Sequence, residues 1–441
     1  MRDKDKFSIE SDLIGSLKHV SLLWFSSVLG GASTFFIQVL LARQLTPNDF
    51  GVFAAAYSFV CLFVPLAGFG VAQLWLKVYG KEGVGAKRWL HASLKLVAIN
   101  SLVVVCLILS WVVFGPNEFR SQYILVSLVL HMLGLVMLEL MIAKYQLEGR
   151  FSLISWWQFS PNLLRLMIVL PISVMTHINL EIAGCVYAFV GLGLIIVCAK
   201  QLYVMFRGNL LLEVQAKQSG NESFKIVRAK KNELIRLSSV YGKAWPFGLA
   251  VFFQMVYYQS DIIILKYLAG NDVAGVYNVA FVILAVVFIL PSAIYQKFLM
   301  PKIHYWANYE NEFLLKAYRK GNKYMLILGV LSALMILATS SFLIPLLFGS
   351  EYTGAVILLN VLVLSIPFVF MAYNSGAVLV TRHHVYRKVK YMGIVAILNV
   401  ILNVTFIPIY GAEGAAITTV ISNLTLFSLY FFAIKRHVFS V

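Results

Sequence analysis

The sequence predicts an all-α polytopic membrane protein, with twelve transmembrane helices arranged as two pseudo-symmetric six-helix lobes around a central cavity. Hydrophobic residues make up 60% of the 441 residues and charged residues only 12%, against roughly a quarter charged in soluble domains. Apolar runs of about 20 residues, the length that crosses a bilayer, recur along the whole chain. Lysine and arginine concentrate in every second connection between these runs, which is typical of membrane proteins with a fixed orientation.

Twelve apolar runs define the predicted spans in chain order. Their approximate ranges are 20–42, 50–75, 89–114, 122–143, 152–175, 182–206, 244–265, 273–296, 324–347, 354–380, 391–408 and 412–434. Because this number is even, both termini are expected on the same side of the membrane.

The basic residues predict which side that is. With the N-terminus in the cytoplasm, 31 of the 36 Lys and Arg residues lie in cytoplasmic segments, and only Arg43, Arg120 and Lys266 lie in outer connections. Lys95 and Arg165 fall within spans. This bias predicts that both termini are cytoplasmic. It also accounts for the net charge of +17 without a nucleic-acid partner, because such a partner needs the basic residues on one water-facing surface.

The longest connection divides the chain into two parts. We assign 1–210 to an N-terminal six-helix lobe with its cytoplasmic tail, 211–240 to a basic cytoplasmic linker, and 241–441 to a C-terminal six-helix lobe. The two lobes open their second helices alike, with Asn48-Asp49-Phe50-Gly51 and, about 223 residues later, Asn271-Asp272-Val273-Ala274-Gly275. Repeats of six spans keep one orientation, so an axis along the membrane normal relates them, an arrangement found in transporters.

No enzyme signature occurs in a suitable context. The sequence has no P-loop and no HExxH motif, and its four cysteines lie inside apolar runs without metal-site spacing. The outer connections are only about five to eight residues long, which is too short for the catalytic loop expected of a membrane glycosyl ligase or polymerase. We therefore expect a transporter that is not an enzyme and needs no cofactor or metal.

Charged side chains within the spans are the first functional candidates, because they are costly in hydrocarbon. Arg165 lies near the middle of the fifth span, Lys95 in the third, Glu139 in the fourth and Asp261 in the seventh. Arg165 either pairs with Glu139 or faces a hydrated cavity, and Lys95 either faces that cavity or extends to the membrane surface. Glu139 and Asp261 are candidate proton or sodium acceptors.

Polar stripes on the first and seventh spans predict a cavity lining, since such a stripe faces protein or water and not lipid. The residues expected to line the central cavity are Ser27, Thr34, Gln38, Gln254 and Tyr258. Hydrogen bonding between packed helices is the alternative interpretation. We interpret Asn399 and Asn403 in the eleventh span as packing residues of that kind.

Several turns carry a family resemblance when they are taken together and in order. They are Leu41-Ala42-Arg43-Gln44-Leu45-Thr46-Pro47-Asn48-Asp49-Phe50-Gly51, Asp272-Val273-Ala274-Gly275-Val276-Tyr277-Asn278-Val279-Ala280, Phe348-Gly349-Ser350-Glu351-Tyr352 and Ile407-Pro408-Ile409-Tyr410-Gly411-Ala412-Glu413-Gly414-Ala415-Ala416. The chain resembles the polysaccharide-biosynthesis flippases, the O-antigen-type (Wzx) branch of the multidrug/oligosaccharidyl-lipid/polysaccharide exporter superfamily. The resemblance implies a protein of the bacterial inner membrane that moves an undecaprenyl-pyrophosphate-linked oligosaccharide, such as an O-antigen or other surface polysaccharide repeat unit, to the outer leaflet.

This implied function suggests roles for the charged candidates. Arg165 and then Lys95 are expected to hold the pyrophosphate headgroup, and Arg43 and Lys266 to attract it at the outer mouths of the two lobes, although both are also explained as solvated surface charges. Without a nucleotide site, transport would use a proton or sodium gradient or the membrane potential, through Asp261 or Glu139.

The expected partners are the lipid-linked glycan, membrane lipids, a polysaccharide polymerase and a chain-length regulator, with no nucleic acid. Two other functions stay open. One is a cation-coupled exporter of drugs or metabolites from the same superfamily, and the other is a membrane glycosyl ligase or polymerase.

Overall fold

The computed structural model describes residues 2–206, 235–381 and 385–439. Side chains are described from residue 21 onward within these ranges, apart from 84, 296–298, 301 and 311. The described residues form helices joined by short turns, without a β-strand among them. The segment 207–234, which includes most of the predicted linker, lies outside the described residues.

Seven α-helices form the N-terminal half, which we define as residues 2–206. They are α1 (Arg2–Gln44), α2 (Pro47–Gly68), α3 (Val71–Glu82), α4 (Lys87–Phe114), α5 (Phe119–Leu147), α6 (Phe151–Met175) and α7 (Leu180–Phe206).

The C-terminal half, residues 235–439, continues with α8 (Leu237–Leu268) and α9 (Asn271–Ser292). A π-helical segment, Ala293–Leu299, joins α9 to the short α10 (Met300–Tyr309). The remaining helices are α11 (Asn311–Phe348), α12 (Ala355–Leu362), α13 (Ile366–Val378), α14 (385–410) and α15 (412–437).

Between α14 and α15, the chain reverses direction at Gly411. Its φ of 55° and ψ of −133° suit glycine, which lacks a Cβ. The Asn399 side-chain amide donates to Ser422 Oγ over 3.3 Å, and these residues lie about equally far on either side of Gly411, so α14 and α15 pack antiparallel. Together with ten other long apolar segments, this hairpin confirms the predicted all-helical fold of a polytopic membrane protein, with twelve long apolar segments.

The second span, predicted as one helix over 50–75, is divided into two helices in the structure. Helix α2 ends at Gly68, and α3 starts at Val71 after Phe69 and Gly70, whose φ angles are +46° and +70°. Left-handed backbone at two successive residues stops the α-helical hydrogen-bond ladder, and periodicity alone does not reveal such a break.

The two ends of the helical bundle differ in their connections. At one end, which we call the short-loop end, the described turns are 45–46, 115–118, 176–179, 269–270 and 349–354, with Gly411. The other end carries the start of α1 and the end of α15, and we call it the basic end. It is the end that the charge bias predicts to be cytoplasmic.

Helix α2 is the main link between the two halves. Near the short-loop end, a Cβ on Gly51 would overlap the carbonyl oxygen of Asn271, and a Cβ on Gly275 would overlap that of Pro47. Two glycines therefore let α2 and α9 touch backbone to backbone. Near the basic end, the rings of Phe69 and Tyr241 stack with centroids 4.6 Å apart, which joins the break after α2 to α8.

Candidate functional site

A cavity of about 310 Å³ lies between the two halves. Helices α1, α2, α8 and α9 wall it, and its lining residues are Gly31, Thr34, Phe35, Gln38, Ala54, Tyr57, Ser58, Gln259, Ile262, Asn278, Phe281, Val282, Ala285, Val286 and Ile289. Amides, hydroxyls and aromatic rings thus face the cavity, and none of its lining residues carries a charge. The structure places two of the predicted lining residues, Thr34 and Gln38, on this wall.

Two of the cavity amides have unused hydrogen-bonding atoms. Gln38 and Asn278 are 7% and 6% exposed. Gln38 Oε1 and Asn278 Nδ2 have no hydrogen-bond partner within the described part of the chain. Buried polar atoms are seldom left unpaired. An acceptor on α1 and a donor on α9 are thus available for a hydroxyl-bearing molecule or for water.

Arg43 and Lys266 bridge the halves at the short-loop end and do not line the cavity. Arg43 donates from Nε to the Leu347 carbonyl over 2.7 Å and from a terminal nitrogen to the Leu346 carbonyl. These carbonyls belong to the last turn of α11, where the helix dipole favours a cation. Lys266 Nζ donates over 2.9 Å to Ser121 Oγ in the first turn of α5.

Arg43 and Lys266 occupy equivalent positions in the internal repeat. They are 223 residues apart in the sequence, which is also the separation of Asp49 and Asp272. Arg43 at the end of α1 reaches into the C-terminal half, and Lys266 at the end of α8 reaches into the N-terminal half. We call this pair of contacts the double latch. In the described conformation it joins the halves beyond the cavity.

Arg165 lies inside the N-terminal half, one layer behind the cavity wall. It is 3% exposed, and its guanidinium stacks 4.6 Å from the ring centroid of Tyr187. Asn162 Oδ1 accepts a hydrogen bond from one terminal nitrogen, while the other has no partner among the described residues. Tyr187 packs edge-on against Tyr57 with centroids 5.7 Å apart. Tyr57, which lines the cavity, therefore separates it from the arginine.

The proposed pairing of Arg165 with Glu139 does not occur among the described contacts. Glu139 instead accepts a hydrogen bond from Gln73 Nε2 over 3.1 Å. A Cβ on Gly68 would lie 3.3 Å from the other carboxylate oxygen. Gln73 is in the first turn of α3, so Glu139 sits beside the break in the second span. A carboxylate there complements the positive end of the α3 dipole.

Asp261 is the centre of a polar network in the C-terminal half. It is 1% exposed. Its Oδ1 accepts from Asn403 Nδ2 over 2.5 Å, and its Oδ2 accepts from Tyr277 Oη over 2.9 Å and from Thr419 Oγ1. Asn399 Oδ1 accepts in turn from the Asn403 amide over 3.2 Å.

No cation contacts Asp261 among the described residues, and the amide oxygen of Asn403 has no hydrogen-bond donor there. A buried carboxylate surrounded only by neutral donors is costly unless it is protonated or binds a cation. The network therefore has the chemistry of a proton or small-cation site. Sequence patterns found Asp261, and Asn399 and Asn403 form the interhelical hydrogen bonds expected of them, one of which reaches this carboxylate.

Three predicted site residues lie away from the cavity between the halves. Gln254 and Tyr258 line a smaller cavity of about 80 Å³ within the C-terminal half, together with Lys388. The polar stripe on α8 thus faces the interior of the C-terminal half, while the neighbouring Gln259 faces the cavity between the halves. Ser27 donates to the Leu23 carbonyl over 2.9 Å and lines neither cavity.

Lys95 is also outside the cavity. It is exposed on the outer face of α4 and does not line the cavity between the halves in this conformation, so its headgroup role stays a prediction. Among the polar residues of the cavity wall, sequence reasoning missed Tyr57, Ser58, Gln259 and Asn278. Only Asn278 was signalled, by its place in one of the segments that carry the family resemblance.

Comparison with known proteins places this site in context. Residues 16–304 match the protein family described as polysaccharide biosynthesis protein. Over 425 residues, the chain is 22% identical to the capsular polysaccharide biosynthesis protein CapF of Staphylococcus aureus, covering 95% of this chain and 99% of the relative.

Solved transporters share the fold. The lipid II flippase MurJ in an inward closed conformation superposes with a TM-score of 0.69 at 13% identity, covering 95% of this chain and 87% of MurJ. An inward-facing multidrug resistance transporter of the MATE family, in the MOP superfamily, gives 0.65 at 12% identity, covering 96% and 98%.

Proposed function

The chain belongs to the polysaccharide biosynthesis protein family, and on that basis we propose that it is a flippase for a lipid-linked oligosaccharide. In this proposal it carries an undecaprenyl-pyrophosphate-linked repeat unit from the cytoplasmic to the outer leaflet of the bacterial inner membrane. The two halves would expose the cavity to each side in turn. A polysaccharide polymerase and a chain-length regulator would act on the product.

The cavity between the halves is the observation that carries the proposal. All of its lining residues lie between Gly31 and Ile289, within the 16–304 segment that matches the family. Its uncharged lining suits a glycan, because amides such as Gln38 and Asn278 bind hydroxyl groups and aromatic rings such as Phe281 offer apolar faces to sugars. A volume of about 310 Å³ is small for an oligosaccharide, so we expect the halves to separate when the substrate enters.

The pyrophosphate headgroup is assigned to Arg165. The guanidinium has a free terminal nitrogen and a planar donor pair that suits phosphate oxygens. Tyr57 would have to turn aside to expose it to the cavity. Arg43 and Lys266 are assigned to the double latch, because their donors bind backbone and hydroxyl oxygens of the opposite half.

Energy coupling is assigned to Asp261. Sodium prefers hard oxygen ligands, and the network offers the Asp261 carboxylate and the unpaired Asn403 oxygen. Protonation of the carboxylate would serve equally well for a proton gradient. Glu139 is a second candidate, because it lies beside the α2–α3 break.

The function is tested by locating the lipid-linked glycan in a deletion strain. An external glycosidase or lectin reports the outer-leaflet pool, and the total pool is measured after lysis. We expect the glycan to accumulate on the cytoplasmic face, and the wild-type gene to restore the outer pool. A normal outer pool in a strain without another flippase gene would contradict the proposal.

A cation-coupled exporter of drugs or metabolites is the second candidate. It is favoured by the uncharged cavity wall and by the fold shared with a multidrug transporter. Everted membrane vesicles separate the two functions. Cation-dependent uptake of a fluorescent drug, lost in Asp261→Asn, together with an unchanged glycan distribution would favour the exporter.

A further inference from the structure

An apolar depression lies on the outer face of the N-terminal half. It has a volume of about 420 Å³ and is formed by α4, α5 and α7. We call it the outer groove, and its lining residues are Leu94, Val97, Ala98, Ser101, Leu133, Val136, Met137, Leu140, Ile195, Ala199, Leu202, Tyr203 and Phe206. Each helix contributes one stripe at helical spacing. None of these residues lines the cavity between the halves.

The outer groove runs from the basic end toward the middle of the bundle. On α4 it extends from Leu94 to Ser101, which is about 10 Å along a helix. At the basic end it finishes at Phe206, whose ring lies 5.9 Å from that of His91. Half of the hydrocarbon core of a bilayer is about 15 Å thick. The outer groove therefore has the direction and depth of a lipid chain in the leaflet at the basic end.

Two lysines flank the outer groove at similar depth. Lys95 follows Leu94 on α4, and Lys200 follows Ala199 on α7. Lys95 is about 12 Å from the start of α4 and Lys200 about 9 Å from the end of α7. Both are exposed, and neither has a hydrogen bond or ion pair within the described part of the chain.

We propose that the outer groove binds an anionic phospholipid of the leaflet at the basic end. One acyl chain lies against the α5 floor, and the phosphate lies between Lys95 and Lys200. Basic sites between transmembrane helices on the cytoplasmic side attract anionic headgroups, and lysine stems of this length reach from the hydrocarbon to the interface. The lipid is a phospholipid and not the transported substrate, because the outer groove is on helices that do not wall the cavity.

Lipid binding to the purified protein tests this proposal independently of transport. Native mass spectrometry with phosphatidylglycerol and phosphatidylcholine gives the affinity ratio of the two lipids. One lysine near an anionic headgroup contributes about fivefold in affinity, so Lys95→Gln with Lys200→Gln should weaken phosphatidylglycerol binding about 30-fold. The matched control is Lys316→Gln with Lys320→Gln, two exposed lysines on α11, which should leave binding within about twofold of the wild type.

A second variant tests whether the acyl chain occupies the apolar outer groove. Ala98→Phe with Ala199→Phe fills the outer groove at two exposed positions and should abolish binding of both phospholipids, while size-exclusion and circular dichroism profiles remain normal. If the double-lysine variant retains the wild-type affinity ratio, or falls only as far as its control, the site is refuted. Displacement of phosphatidylglycerol by an equal concentration of undecaprenyl phosphate would also refute it, because the outer groove would then hold the substrate lipid.

Discussion

Replacing both residues of the double latch is expected to open the short-loop end without any substrate. The variant is Arg43→Gln with Lys266→Gln. In the structure, Arg43 donates to the Leu346 and Leu347 carbonyls, and Lys266 donates to Ser121. Each contact joins opposite halves, so an outward-open conformation must break both.

The expected shift follows from the number and exposure of these contacts. A hydrogen bond to a charged group contributes about 1.5–3 kcal/mol when it is shielded, and exposed ionic contacts contribute about 1 kcal/mol or less. Arg43 is exposed but makes two bonds at a helix C-terminus, where the dipole adds about 0.3–1 kcal/mol. Lys266 is half-buried. Together the two contacts therefore stabilise the closed conformation over the open one by about 2–3 kcal/mol. The ratio of open to closed molecules should therefore rise about 30- to 150-fold.

Spin-label distance measurements report this ratio directly. Labels at Phe119 and Thr353, exposed residues on opposite halves of the short-loop end, should gain a longer distance in the double-latch variant. The native cysteines are first replaced by serine or alanine. Arg120→Gln is the matched control, because Arg120 is a cation at the same end whose partner, Asp49, lies 3.1 Å away within its own half.

Three results would refute this reasoning. An unchanged distance distribution in the double-latch variant would mean that other contacts close the short-loop end. A longer distance in Arg120→Gln as well would mean that any lost cation loosens this surface. If the distances change only when the lipid-linked substrate is added, Arg43 and Lys266 act on the headgroup and not as a latch.

Substitutions at three further positions test the other assignments. Asp261→Asn keeps the side-chain shape and removes a buried charge, so protein abundance should stay within about twofold while dependence of transport on the cation gradient disappears in a vesicle assay. Arg165→Lys and Arg165→Ala should both lower flipping at least tenfold at normal abundance, and rescue of a lowered abundance by Glu139→Gln would instead indicate a structural pair. Gly51→Ala should prevent close contact of α2 with α9 and lower the melting temperature, whereas Gly193→Ala, where a Cβ meets nothing within 4 Å, should not.

Long-range features of this fold were accessible to sequence reasoning because they depend on composition. An apolar run of about 20 residues predicts a membrane crossing regardless of which helices pack beside it. The reversal at Gly411 lies within a turn that the sequence also predicted. The break at Phe69 and Gly70 was missed because the helices on either side are both apolar. It is fixed by contact with α8, and no local pattern encodes that contact.

The site was less accessible because a polar stripe reveals that a helix face avoids lipid, but not what it faces. Gln254 and Tyr258 face their own half, whereas Gln259, one position further on, faces the cavity. Asp261 was found because a charge in a span is rare. Its partners Tyr277 and Thr419 come from α9 and α15, so only the packed structure brings them together.

Seven consecutive residues of α9, 272–278, contact helix α2 at the short-loop end, the Asp261 network and the cavity between the halves. Asp272 accepts a hydrogen bond from Asn48 over 3.2 Å at the short-loop end, and Gly275 touches the backbone of α2. Tyr277 donates to Asp261, and Asn278 lines the cavity.

A cation or proton on Asp261 changes the acceptor that Tyr277 binds. Because α9 is a rigid helix, it would carry that change to the α2 contact at Gly275, about half a turn away. Coupling between two sites requires an element whose conformation both sites bias, and α9 meets this requirement. We therefore expect Tyr277→Phe to weaken the effect of the cation on the short-loop distance while leaving the double latch intact.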